Sequence, residues 1–211
     1  MSDINGYYDF EIDLDDLMRG LDVDSIFYLK DLQRRKFVLN VDVDQSSVGD
    51  ICRHIMQINR EDALIKAEDR KPIFLYISSN GGSVPDGYEL IDVIENSKTP
   101  VYTIVMGYAY SMGLLISLAG HKRFAMPNAT FLMHDGSNFI MDSGSKAQDQ
   151  AEFNKRLNSR IRDYILSHSK LSQEVYDANL RVEWFMFADE AKANGFVDSI
   201  IGQDVDLETI V

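Results

Sequence analysis

Three groups of residues have types and positions suited to chemistry. Ser111 lies between an apolar, partly β-branched run at 101–106 (VYTIVM) and a second apolar run at 111–119 that Gly120 closes. His134 ends a short run, TFLM, at 130–133, and Gly81-Gly82 follow PIFLYIS at 72–78. A hydroxyl, an imidazole and glycine N–H groups are the parts needed for acyl transfer. They supply a nucleophile, a general base, and donors for an oxyanion that a Cβ would otherwise obstruct. Each also has a plain structural use. Serine is a common helix N-cap, a Gly-Gly pair after a strand is most often a turn, and a histidine can sit in a core with one hydrogen bond. The three gain weight together because all stand at strand exits, where sites gather in parallel sheets.

The elements that must position them follow from periodicity. Residues 36–43 (KFVLNVDV) alternate in part and predict a strand. Asp44-Gln45-Ser46-Ser47 supplies N-cap chemistry for a helix over 48–59, whose Val48, Ile51, Cys52, Ile55, Met56 and Ile58 keep helical spacing. The run 72–78 predicts a strand buried on both faces. Ser83 caps a helix over 84–96, and 101–106 is the next strand, with a tight turn at 107–110 before the helix 111–119. Short strands follow at 122–125, 130–133 and 138–141. A long helix over 146–168 carries Phe153, Leu157, Ile161, Tyr164 and Ile165 on one narrow apolar stripe, as in helices that project to pack against another subunit. A helix at 172–180, a strand at 184–187, a helix at 188–194 ended by Gly195, and a strand at 196–201 complete the chain. Strand and helix alternate, which predicts an α/β fold with a largely parallel sheet.

Bulk properties narrow the class. The 211 residues suffice for one domain with a sizeable core or one domain with a small appendage, and 45% are hydrophobic. A net charge of −13 argues against nucleic acid as a partner, since phosphate binding needs clustered Lys and Arg. The dense basic patch Arg34-Arg35-Lys36 is too short to reverse that. No apolar run spans a bilayer, and the acidic N-terminus MSDINGYYDFEIDLDDL lacks the basic region of a secretory signal. The single cysteine, Cys52, reads as a small buried hydrophobe and fits a reducing, cytoplasmic setting. His54 reads as a surface or boundary histidine. Residues 1–24 mix acids with Tyr7, Tyr8, Phe10, Leu14 and Leu17, with a short helix over 13–21, and suit a solvated tail or a docking segment alike.

The runs YISSNGGSVPDGYELIDVI, MGYAYSMGLLISLAG, MPNATFLMHDG and EWFMFADEAKANGFVDSII resemble the proteolytic subunit of the Clp protease (ClpP). The resemblance extends in order over 36–201, with residues 1–35 a divergent acidic N-terminal segment and 202–211 an acidic tail. It implies an α/β ClpP/crotonase fold, a repeated ββα spiral with a projecting long helix for oligomerisation. It further implies a serine endopeptidase working as a homo-oligomer of two stacked heptameric rings, fed polypeptide by an AAA+ Clp unfoldase that spends ATP, with no cofactor or metal in this chain. Carried over by position, Ser111 is the nucleophile, His134 the general base, and Gly82 and Met112 the oxyanion-hole donors.

Glu183 falls where the family places the orienting aspartate. It is one methylene longer, so the backbone or His134 must sit differently. Asp135 adjoins His134 but faces the other way along a strand, and Asp177 lies on a helix away from the motif. The family's Asp-Arg pair before that acid is Arg181-Val182 here, which puts the coupling of ring assembly to triad alignment in question. Tyr110 replaces a small residue before the nucleophile, and Asp135 replaces a residue not normally acidic. Both are expected to narrow the substrate channel or alter its charge. These departures admit a second reading, a weakly active or inactive structural subunit of an oligomeric ring. A third, a crotonase-type enzyme acting on acyl-CoA, has no need of the serine–histidine pair.

Overall fold

The computed structural model describes residues 20–134, 144–180 and 182–210. The chain divides into two compact units, Met1–Arg35 and Lys36–Val211. In the first, helix α1 spans Val23–Gln33. Asp22 caps it by accepting the Ser25 N–H at 2.8 Å. The sequence does not announce this helix. It carries no periodic apolar stripe, and none of its residues is buried. The short helix expected over 13–21 falls almost wholly outside the described residues.

The second unit is built on one seven-stranded sheet. Strands β1 (Lys36–Leu39), β2 (Ile73–Ser79), β3 (Val101–Tyr110), β4 (Lys122–Ala125) and β7 (Ser199–Ile200) run parallel in the order β1-β2-β3-β4-β7. β5 (Thr130–Met133) pairs parallel with the far end of β3, and β6 (Trp184–Phe187) pairs antiparallel with β5. The helices are α2 (Gln45–Glu61), α3 (Val84–Glu95), α4 (Met112–Leu118), α5 (Ser145–Ser167), α6 (Gln173–Asn179) and α7 (Ala188–Ala193). The α/β class with a mostly parallel sheet is as the alternation predicted.

Local chemistry accounts for the helix starts. Asp44 Oδ1 accepts the Ser47 N–H at 2.8 Å while Ser47 Oγ accepts the Asp44 N–H at 2.9 Å, a reciprocal capping box. Ser83 Oγ accepts the Asp86 N–H and opens α3. The apolar stripe of α2 (Val48, Ile51, Cys52, Ile55, Ile58) is buried, and burial pushes the Cys52 thiol up to about 12.

Four expectations are corrected. β2 is not equally buried on its two faces. Ile73, Leu75 and Ile77 are fully enclosed, whereas Phe74 and Tyr76 are half-buried and pack with Ile104, Phe124, Ile201 and Ile210. The C-terminal tail supplies that cover, and the Tyr76 hydroxyl donates to the Ile210 carbonyl at 2.5 Å.

The second correction concerns β3, which does not end at Met106 in a tight turn. It continues to Tyr110 by changing partners: residues 102–105 pair with β4, and residues 108–110 with β5. The register against β2 shifts between Ile77 and Ser79, and the Gly107 N–H donates to Ser78 Oγ at the shift. Gly107 therefore marks an irregularity inside a strand and not a turn. The strand expected over 36–43 stops at Leu39, with Val43 alone bridging to Gly82, and that over 196–201 shortens to Ser199–Ile200. The strand expected over 138–141 lies outside the described residues.

Candidate active site

Ser111 joins β3 to α4 with φ 52° and ψ −120°. Among the described residues only Arg35 and Ser111 take positive φ without being glycine. Such a conformation costs on the order of 1–3 kcal/mol and persists only where neighbours impose it. Here the Ser111 N–H donates to the Leu132 carbonyl at 3.0 Å, which extends the β3–β5 ladder, and its carbonyl accepts from Leu114 and Leu115 at 3.0 and 3.3 Å. The position is that of an N-cap, but the Ser111 side chain makes no capping hydrogen bond. Its hydroxyl is therefore not consumed by the structural use that serines at helix starts usually have.

The glycine turn is pressed against this serine. Gly81 has φ +90°, and a Cβ there would lie 2.6 Å from the Tyr110 carbonyl oxygen and 2.7 Å from the Met112 nitrogen. Gly113 packs as closely on the end of β2, where a Cβ would meet the Ser79 carbonyl oxygen at 2.9 Å. The bridge from Val43 uses the Gly81 carbonyl (2.8 Å) and the Ser83 N–H (2.7 Å), so the Gly82 N–H stays outside the ladder. Met112 is the first residue of α4, and its N–H has no partner within the helix. Among the described residues neither the Gly82 nor the Met112 N–H has a backbone partner. Met112 adjoins Ser111 in the chain, and Gly82 follows Gly81, whose backbone packs against Tyr110 and Met112.

His134 follows β5 directly. It is half-buried, and its Nε2 is enclosed without a hydrogen-bond partner among the described residues. Ser111, Met112 and His134 line one cavity of about 520 Å³. Its opposite wall is α5, through Asn154, Asn158, Ile161 and Ile165, and α6 contributes Tyr176 and Asp177. A cavity of this size, apolar in part with a few convergent polar groups, suits a substrate side chain.

Glu183 does not line this cavity. It is exposed just before β6, and no hydrogen bond or ion pair of its carboxylate is found among the described residues. The carboxylate that does reach the cavity wall is Asp177. The α5–α6 hairpin brings it there, anchored by the neighbouring Tyr176, which is 3% exposed. On sequence Asp177 ranks behind Glu183 because it lies on a helix away from the motif, and position along the chain does not show that the helix turns it toward the cavity. The cavity-facing row Asn154, Asn158 and Arg162 was missed, although its four-residue spacing places it on one helix face.

Tyr110 does not narrow the cavity. Its hydroxyl is 2.8 Å from Thr130 Oγ1 and its ring meets Phe185 edge-on at 5.8 Å, so it lies along β5 and β6. Asp135 and Arg181 lie outside the described residues, and Val182 is exposed.

The Clp protease family profile matches residues 23–204. The chain belongs to the Clp protease family. It is similar to the ATP-dependent Clp protease proteolytic subunit 2 of Treponema pallidum (strain Nichols), with 28% identity over 186 residues that cover 87% of this chain and 90% of that protein. The sheet with its forked β3 is accordingly the ClpP/crotonase fold of the family. The family match begins within α1 and so takes in part of the segment set apart on sequence as divergent. Within this Clp protease family chain, no described helix is long and apolar enough to cross a membrane. No group of three or more metal-ligating side chains occurs among the described residues.

Proposed function

We propose that this chain is the peptidase subunit of a Clp-type ATP-dependent protease and cleaves polypeptide by serine catalysis. The observation that carries the reading is Ser111 held at positive φ, its hydroxyl without a hydrogen bond among the described residues, in one cavity with Met112 and His134 and with the Gly81-Gly82 turn packed against it through Gly81. In the proposed reaction His134 takes the Ser111 proton as Oγ attacks the scissile carbonyl, and the two N–H groups hold the oxyanion. His134 then returns the proton to the leaving amine, and water releases the acyl group. The chemistry calls on no resident cofactor. ATP is spent by an AAA+ partner, and family membership supports an oligomer, with stacked heptameric rings the expected form. The test is hydrolysis of a fluorogenic peptide by the purified, assembled chain, together with labelling by a fluorophosphonate. Absence of both under assembly conditions counts against the reading.

One observation favours a weakly active or structural subunit instead: the enclosed Nε2 of His134 has no hydrogen-bond partner among the described residues, and Glu183 is exposed. Hydrogen bonds of a catalytic pair often tighten only in the complex with substrate, and two carboxylates compete to orient the imidazole. Family position supports Glu183 and the cavity supports Asp177. If Glu183 orients His134, Glu183→Gln lowers kcat by up to about 10⁴ while Asp177→Asn changes it little. The reverse ranking assigns the role to Asp177, and no effect from either leaves His134 without an orienting acid.

Gly81 offers a separate check on the oxyanion donors. Alanine there is strained at φ +90°, and its Cβ collides with backbone on both sides of Ser111, which cannot yield without moving the Met112 N–H. Gly81→Ala is expected to lower kcat by about 10²–10³ with a smaller change in KM. A variant with unchanged kcat would show that this N–H geometry does not matter.

A further inference from the structure

A second groove, of about 580 Å³, lies between α2 and α3 and shares no lining residue with the catalytic cavity. Ile55 and Val93 line it, and Met56 (42% exposed) adds apolar surface to its wall. Its charges reverse the balance of the chain. The molecule has 34 acidic residues against 21 basic ones, yet Arg60, Arg70 and Lys98 line this groove against one carboxylate, Asp92.

None of the three cations is ion-paired among the described residues. The two arginine side chains and the backbone of Lys98 are nonetheless held in place. Arg60 Nη1 donates to Gln57 Oε1 at 3.2 Å. Arg70 Nε donates to the Ile65 carbonyl at 3.0 Å and its Nη1 to Thr99 Oγ1 at 3.5 Å, Thr99 in turn donating to the buried Asp62 carboxylate. Further N–H donors on each guanidinium remain free. The backbone under Lys98 is clamped by Asn59, whose Oδ1 accepts the Lys98 and Thr99 N–H groups at 2.9 and 3.2 Å while its Nδ2 donates to Ser97 Oγ at 2.8 Å. Cations beside apolar surface, with no ion pair among the described residues, are the elements of an oxyanion site, and guanidinium donors match phosphate and carboxylate geometry.

We propose that this groove binds a small organic anion, a phosphate or carboxylate carried on an apolar body. The volume lies within the range of small-molecule sites, roughly 300–1,000 Å³. The apolar wall takes the body of the ligand, and Arg60, Arg70 and Lys98 take its charged end. This site is independent of the peptidase reading.

The test is calorimetric titration of the full chain with hexyl phosphate and with hexanoate, alongside inorganic phosphate and hexanol. Saturable binding of at least one amphiphilic anion is expected, weakened by added salt and tighter than that of inorganic phosphate or hexanol. Arg60→Glu combined with Lys98→Glu is expected to weaken it by about tenfold or more, since close charge pairs carry much of such affinity. Both side chains are exposed, and the neutral pair Arg60→Gln with Lys98→Gln, checked by circular dichroism, guards against a folding artefact. No binding of either anion, equal binding of hexanol, or unchanged affinity in both double variants overturns the proposal.

Discussion

Ser111→Ala is expected to lower peptide turnover by about 10⁶-fold and to abolish fluorophosphonate labelling, with the fold intact. The two effects separate for a structural reason. The Ser111 side chain makes no capping hydrogen bond, so deleting its hydroxyl removes no described contact that supports α4. Alanine retains the Cβ and thus the same backbone cost at φ 52°. Turnover should collapse while the thermal midpoint stays close to that of the parent chain. Ser111→Gly should also be inactive yet should unfold at a slightly higher temperature, because glycine accepts positive φ without strain. Turnover retained in Ser111→Ala would sink the assignment of the nucleophile. A large loss of stability would instead mean that the hydroxyl serves the fold.

His134→Ala should cost about as much turnover as Ser111→Ala, and the double variant should be no worse than either single one. Groups that act as a unit are strongly non-additive: once either member of the pair is gone, the other has nothing left to act on. Folding is again a useful control. Among the described residues the enclosed Nε2 has no partner, so its removal breaks no hydrogen bond at that nitrogen. The destabilisation should be modest and should come only from lost packing in the cavity shared with Ser111. The measurement is kcat/KM for the two single variants and the double variant on one fluorogenic peptide, with urea midpoints alongside. Losses that add in free energy would show that the two residues do not work as nucleophile and base. A His134→Ala variant with nearly full activity would mean that another group takes the Ser111 proton.

The division between what was legible in the sequence and what was not follows the range of the forces involved. Helix starts depend on neighbours three residues apart, so Asp44 with Ser47 and Ser83 with Asp86 are readable from residue types and spacing alone. The buried stripe of α2 likewise follows from spacing, and α5, α6 and β6 fall within a residue or so of their predicted limits. The family resemblance rests on four runs in order, three of which hold Gly82, Ser111 and His134, and residue order is legible without the fold.

Tertiary structure decided everything that depends on a partner distant in the chain. β3 runs on to Tyr110 because β5 takes up its backbone groups where β4 leaves off, and no property of residues 107–110 announces that exchange. α1 carries too little periodic signal for the sequence to reveal it. The fold also chose which carboxylate shares a cavity with Ser111 and His134. The α5–α6 hairpin brings Asp177 to that wall, while the motif position, Glu183, ends in solvent. A motif records which residue types stand in a row. The position of a side chain relative to an imidazole belonging to another strand is set by packing and strand pairing between segments remote in sequence.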